Sequence, residues 1–223
     1  MLLGEGDTHA GIMLIAQAPG ELEDRENQMF IGPSGQVLDR LFADSGIKRE
    51  KIYLTNLLKC QLPQNRRPKQ REIAACSIYL EEEIRQVQPR IVSPLGYFAT
   101  KYIFESRALK PFSKEEYPEL IGIAVPVGKL IIYPLSHPSS LIHHPEYYPA
   151  NVLYYKRLLH LEECKWYRIC PIKRFTERSI LEPYWVDHYC LGDWQGCERF
   201  RQEEAGIAHL DTLLPDGSQL ILK

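Results

Sequence analysis

Phe30 stands alone among aromatics in the polar stretch after Ala18-Pro19-Gly20, a triplet that reads as a sharp turn. Asn56 lies near the carboxyl end of the apolar run 51–58. Its amide supplies one donor and one acceptor side by side, so it either satisfies a neighbouring loop backbone or reads a base. His137 follows a β-rich run directly, in Ser136-His137-Pro138-Ser139-Ser140-Leu141. Six cysteines complete the reactive set: Cys60, Cys76, Cys164, Cys170, Cys190 and Cys197. The first residues carry no basic region followed by an apolar one, which predicts a cytoplasmic chain with reduced thiols. In that setting the cysteines point to metal or cluster ligation rather than to disulfides.

The elements that must hold these groups follow from periodicity. Runs at 12–17, 51–58, 90–96 and 129–135 read as strands, and helical spacing marks 35–44, 69–88, a short stretch ending at Phe104, and 150–161. Residues 1–8 read as loop, and 107–128 as a crossover with a short strand at 121–125. The face of the long helix is expected to carry Ile73, Cys76, Tyr79, Leu80, Ile84 and Val87. Alternating strands and helices predict a three-layer α/β/α fold around a central, mainly parallel four-stranded sheet over 1–162. Loops leaving the carboxyl ends of its strands converge on one rim, where such sheets bind ligands. From Cys164 cysteine and aromatic density rise, so 163–223 is predicted to be a small cysteine-rich, metal-binding helical unit.

The chain has 223 residues, 44% of them apolar, and a net charge of −2. That suits one α/β domain with an appendage and excludes a bulk polycation. No apolar run approaches the ~20 residues of a membrane helix. Nucleic-acid contact would need local basic patches, and Lys59, Arg66, Arg67, Lys69 and Arg71 form one beside the predicted rim. Lys165, Arg168, Lys173, Arg174 and Arg178 form a second. His143 and His144, beside Pro145, are expected to be exposed, without a catalytic role.

Several stretches together resemble the uracil-DNA glycosylase superfamily, family 4 most closely. They are A-Q-A-P-G-E-L-E-D at 16–24, M-F-I-G-P-S-G-Q-V-L-D at 29–39, Y-L-T-N-L-L-K-C at 53–60, N-R-R-P at 65–68, E-I-A-A-C at 72–76 and H-P-S-S-L at 137–141. They fall in the family's order over residues 4–160, and an ordered set is far more specific than any one of them.

The resemblance implies a role for each matching position. Ala18, Pro19 and Gly20 would form the water-side edge of a pocket, Phe30 would stack on a flipped-out uracil, and Asn56 would read its edge. His137 would donate a hydrogen bond to uracil O2, and Leu141 would fill the gap left in the duplex. Arg66, Arg67 and Ser139 would contact DNA. The chemistry is consistent with such a kit: breaking an N-glycosidic bond leaves an oxocarbenium-like sugar and a base anion, so charge stabilisation is the main task. The base must leave the stack to be reached, and an apolar wedge holds the step open. Uracil-containing DNA is thus the expected partner, and the chain is expected to act as a monomer.

Two departures stand out. Gln17 occupies a position where family 4 usually has Glu, and an amide orients water but cannot take its proton. Either catalysis rests on stabilising the departing anion, or Glu21, Glu23 or Asp24 substitutes, or the site binds DNA without cleaving. A glycosylase for another deaminated base is the remaining alternative. The second departure concerns the family's [4Fe–4S] cluster. Cys60 and Cys76 match two of its four ligands, and the early C-x-x-C is not in this sequence. A preceding segment, a later cysteine, or simple packing of both thiols would each account for that. The tail offers a complete set, Cys164, Cys170, Cys190 and Cys197, spaced C-x5-C-x19-C-x6-C. The spacing is unlike standard zinc fingers and favours an iron–sulfur cluster, with zinc or metal-free packing as the alternatives.

Overall fold

In a computed structural model of the chain, described over residues 1–162, 164, 166–167, 169–190 and 194–221, the chain divides into two compact units, Met1–Leu158 and Leu159–Lys223. The first contains β1 (Glu5–Gly6), β2 (Ile12–Ala16), α1 (Glu21–Glu26), α2 (Pro33–Ser45), β3 (Ile52–Asn56), α3 (Gln70–Val87) and β4 (Ile91–Pro94). After these come α4 (Tyr97–Ser106), α5 (Tyr117–Leu120), β5 (Val125–Val127), β6 (Leu130–Ile132), α6 (Pro138–His143) and α7 (Tyr148–Glu162), whose last four residues belong to the second unit. Among the described residues no helix is long and apolar enough to cross a membrane.

Every residue of β2 is buried, as a strand covered on both faces requires. The sheet order is β1-β3-β2-β4-β6-β5. Its four central strands are parallel, and β1 and β5 add antiparallel edges. Strand periodicity sends Met13, Ile15 and Tyr53 to one side, where they pack with Leu80 and Val87 of α3 and Ile103 of α4. On α2, Leu38, Leu41 and Phe42 are buried, and the Phe42 ring meets Tyr155 of α7 edge-on at 6.1 Å. Helices on both faces give the expected three layers.

The differences from the sequence reading are local. The lead segment contains β1, a two-residue strand too short for periodicity to reveal. The polar stretch after Gly20 forms α1, whose first turn holds Glu21, Glu23 and Asp24, acids that suit a helix amino end. The crossover strand falls at Val125–Val127 rather than 121–125. On α3, Tyr79 is 41% exposed, one helical step off the buried stripe.

The second unit contains α8 (Pro171–Glu177), a π-helical turn at Val186–Cys190 and α9 (Glu198–Glu204). Ile172, Leu181, Val186, Cys190 and Leu214 form its core.

Candidate active site

Because β3 and β4 flank β2 on opposite sides, the chain leaves β2 in both directions and opens a crevice at the carboxyl ends. A cavity of about 870 Å³ lies there, lined by Gln17, Phe30, Asn56, His137 and the Ala18-Pro19-Gly20 turn. The ends of three strands, β2, β3 and β6, deliver these residues. Ala16 pairs with Asn56 in register. The turn after β2 is tied to β3 by Leu57 N–H to Ala16 O (2.8 Å) and Leu58 N–H to Gln17 O (2.9 Å). Leu95 bridges to Leu135, two residues before His137. The Leu135 carbonyl accepts from Gly96 N–H (2.9 Å) and from the Tyr117 hydroxyl (2.8 Å), which fixes the approach to His137.

His137 caps α6. Its Nδ1 accepts the Ser139 N–H at 3.1 Å and lies 2.7 Å from Ser139 Oγ. A ring nitrogen that accepts a backbone N–H carries no proton, so the proton sits on Nε2. Burial pushes the His137 pKa down to about 4, so the ring is neutral at pH 7 and still a donor.

Asn56 is 3% exposed, and its Nδ2 donates to Met29 Sδ at 3.2 Å. A thioether is a weak acceptor, readily replaced by a stronger one. Phe30 sits in the left-handed region (φ 53), uncommon for a bulky residue and characteristic of functional sites. Gly35 is required beneath it, since a Cβ there would come within 1.8 Å of the Phe30 carbonyl oxygen.

Glu5 and Arg49, which shape the cavity, were not singled out by the sequence. Glu5 and Arg49 clamp Met29: Glu5 Oε2 accepts its N–H (3.1 Å), and Arg49 Nη2 donates to its carbonyl (2.6 Å). Arg49 also reaches Glu5 (3.2 Å) and Asp39 (2.7 Å). Glu23, only 8% exposed, accepts Gly32 N–H at 2.8 Å and lies against Gly20, joining both sides of the entrance. Glu5 and Arg49 lie 24 and 20 residues from Met29, and no local pattern announces them. Of the three acids weighed as substitutes, Glu21 and Glu23 line the cavity, whereas Asp24 accepts the Gln61 N–H at 3.3 Å.

Among the other expected positions, Ser139 lines the cavity, and so does His143, which is exposed as expected. Leu141, expected as the wedge, is 5% exposed within α6, where the exposed apolar side chain is Ile142, at 45%. Lys59 is fully buried and leaves the basic patch. Arg66 is held bidentately by Glu72 at 2.5 and 2.9 Å, which neutralises it locally, while Arg67 is exposed. In the second patch Lys173 pairs with Glu177 and Arg174 with Asp211; Lys165 and Arg168 lie outside the described residues.

Cys60 is exposed and Cys76 half-buried. They are the only cysteines in Met1–Leu158. Two thiols cannot supply the four thiolates of a [4Fe–4S] cluster, so the residues of this unit do not by themselves fit one. Cys164, Cys170, Cys190 and Cys197 line a separate cavity within the second unit.

Comparison with known proteins agrees with the motif order. The profile of the uracil DNA glycosylase superfamily matches residues 3–161. The chain is 38% identical to the type-4 uracil-DNA glycosylase of Saccharolobus solfataricus over 144 residues, 64% of this chain and 67% of that one. It is 34% identical to the type-4 enzyme of Sulfurisphaera tokodaii over 191 residues, 85% and 79% of the two chains. The type-4 enzyme of Thermotoga maritima is 33% identical over 143 residues, 64% and 71%. The chain belongs to the uracil DNA glycosylase superfamily, on its type-4 branch.

Proposed function

We propose that this type-4 member of the superfamily excises uracil from DNA by hydrolysing its N-glycosidic bond, as a cytoplasmic monomer that initiates base excision repair. The observation that carries the reading is that Phe30, Asn56 and His137, brought from three separate segments, line one cavity. A flipped uracil stacks on Phe30, its pairing edge displaces the Met29 thioether from the Asn56 amide, and its O2 accepts from His137 Nε2–H. The C1′–N1 bond breaks with its electron pair on the base, and the anion is met by a neutral donor rather than by a cation. Placing donors where charge develops is the largest catalytic effect open to such a site. Water, oriented by Gln17, adds to C1′ and releases its proton to solvent. Arg67 and Ser139 contact the DNA backbone. No step runs through a metal.

Gln17 favours a second reading, a DNA-binding homologue that does not cleave. Incubation with a uracil-containing oligonucleotide, followed by alkali, separates the two. Strand breaks at uracil establish the glycosylase. A gel shift without breaks establishes the binder, and breaks only at hypoxanthine redirect the substrate.

A further inference from the structure

Four of the six cysteines have no part in that chemistry, yet they do not scatter over the second unit. Cys164, Cys170, Cys190 and Cys197 all line one cavity of about 270 Å³. The Cys164 N–H donates to the Cys190 carbonyl at 2.7 Å, which brings the first and third together. Backbone N–H groups of Trp166 and Tyr167 donate to the Cys164 sulfur, and those of Arg199 and Phe200 to the Cys197 sulfur. Such donors stabilise a thiolate and are wasted on a thiol that merely fills space.

A buried cation accompanies them. Arg199 lines the same cavity, is 4% exposed, and gives Nη1 to the carbonyls of Leu210, Asp211 and Leu213 at 3.0, 3.1 and 2.8 Å. Its buried Nε has no hydrogen-bond partner. An arginine is almost never buried without a counter-charge. Thiolates held by a metal centre in the same cavity would supply a matching negative charge.

We propose that the second unit is a metallocentre in which Cys164, Cys170, Cys190 and Cys197 bind a [4Fe–4S]-class cluster, with Arg199 as its buried counter-charge. A single zinc ion needs four sulfurs about 2.3 Å from one point, hence roughly 3.8 Å from one another. Among the described residues no group of three or more Cys, His, Asp or Glu side chains is arranged to hold a single metal ion. A cluster carries its own irons outward and takes thiolates spread around a cavity. Assembly releases one proton per thiol to solvent as each sulfur bonds one iron of an incoming iron–sulfide unit. The cluster's part is structural: a unit of this size has a core of few residues, and small folds need a staple.

The full-length chain, purified anaerobically and reconstituted with iron and sulfide, tests this by metal and acid-labile sulfide analysis and by visible absorption. About four irons and four sulfides per chain are expected, with a visible band that bleaches on reduction. Cys170→Ser and Cys190→Ala should lose most of the iron, while Cys60→Ser and Cys76→Ser keep it. Zinc without sulfide, no metal after reconstitution, or full iron content in folded Cys170→Ser would each overturn the proposal. Should the tail variants not fold, the unmodified chain's metal, sulfide and spectrum still decide it. The outcome is independent of whether uracil is released.

Discussion

Lys59 Nζ lies 2.6 Å from Glu83 Oε2, with the two side chains 0% and 10% exposed. The same ammonium donates to Thr55 Oγ1 (2.8 Å) and to the Asn56 carbonyl (2.9 Å), and Glu83 Oε1 accepts the Gly4 N–H (2.9 Å). One ion pair thus ties the lead segment, β3 and α3 together directly behind Asn56. Burial pushes the Lys59 pKa down, and the contact with Glu83 opposes it. Removing one partner strands the other charge, at a cost of about 3–5 kcal/mol. Lys59→Met and Glu83→Leu should each lower the urea midpoint sharply, and the double variant should recover much of the loss. Additive losses in that cycle would show that the pair is not coupled.

His137 gives a pH prediction with a definite sign. Burial lowers its pKa from 6.5 to about 4. Below 6.5 the unfolded chain binds a proton that the folded one resists, so this group's stabilising contribution falls as pH drops from 6.5 to about 4. The neutral donor form persists above that range, so no His137-dependent loss of uracil release is expected between pH 5 and 8. NMR of the ring should show titration near pH 4 rather than near 6.5. His137→Ala should cost ~10²–10³ in single-turnover rate, because a transition-state donor is lost. Gln17→Ala should cost less, and equal losses would move the chemistry to Gln17.

The parallel core was legible because β2 is apolar throughout and bounded by a Pro-Gly turn. The positions of Phe30, Asn56 and His137 were legible because each follows or ends a readable strand. Lys59 was not: beside Arg66 and Arg67 it reads as surface, and only a partner 24 residues away turns it inward. Nor was the partner of Arg66 legible, since Glu72 holds it across the start of α3. Nor could Leu141 be told from Ile142, because α6 has six residues, too few to set a helical phase. Which apolar side chain faces solvent there depends on packing against α2, a nonlocal fact.

Arg49 positions the aromatic shelf without touching the substrate. Its Nη2 holds the Met29 carbonyl at 2.6 Å, one residue before Phe30. Hydrogen bonds to a charged group contribute ~1.5–3 kcal/mol. Its side chain is 31% exposed, so Arg49→Ala should fold. The loop bearing Phe30 then loosens, and KM for a uracil oligonucleotide should rise several-fold more than kcat falls. Arg49→Lys should restore part of the effect, through the single hydrogen bond a lysine can still make. An unchanged KM would mean that Gly35 and Glu23 suffice to set Phe30.

The two neighbours on α6 separate packing from duplex contact. Leu141 is 5% exposed, and truncating a buried leucine costs ~2–5 kcal/mol. Leu141→Ala should therefore lower the thermal midpoint while leaving the ratio of activity on duplex and single-stranded uracil DNA unchanged. Ile142 is 45% exposed on the helix that begins beside His137. An apolar wedge holds open a duplex step and has nothing to do on a single strand, where the base is already free. Ile142→Ala should thus leave the midpoint within about 0.5 kcal/mol, as surface changes do. It should reduce duplex activity selectively. If instead Leu141→Ala lowers the duplex-to-single-strand ratio and Ile142→Ala does not, α6 must rearrange on DNA to expose the residue that is buried here.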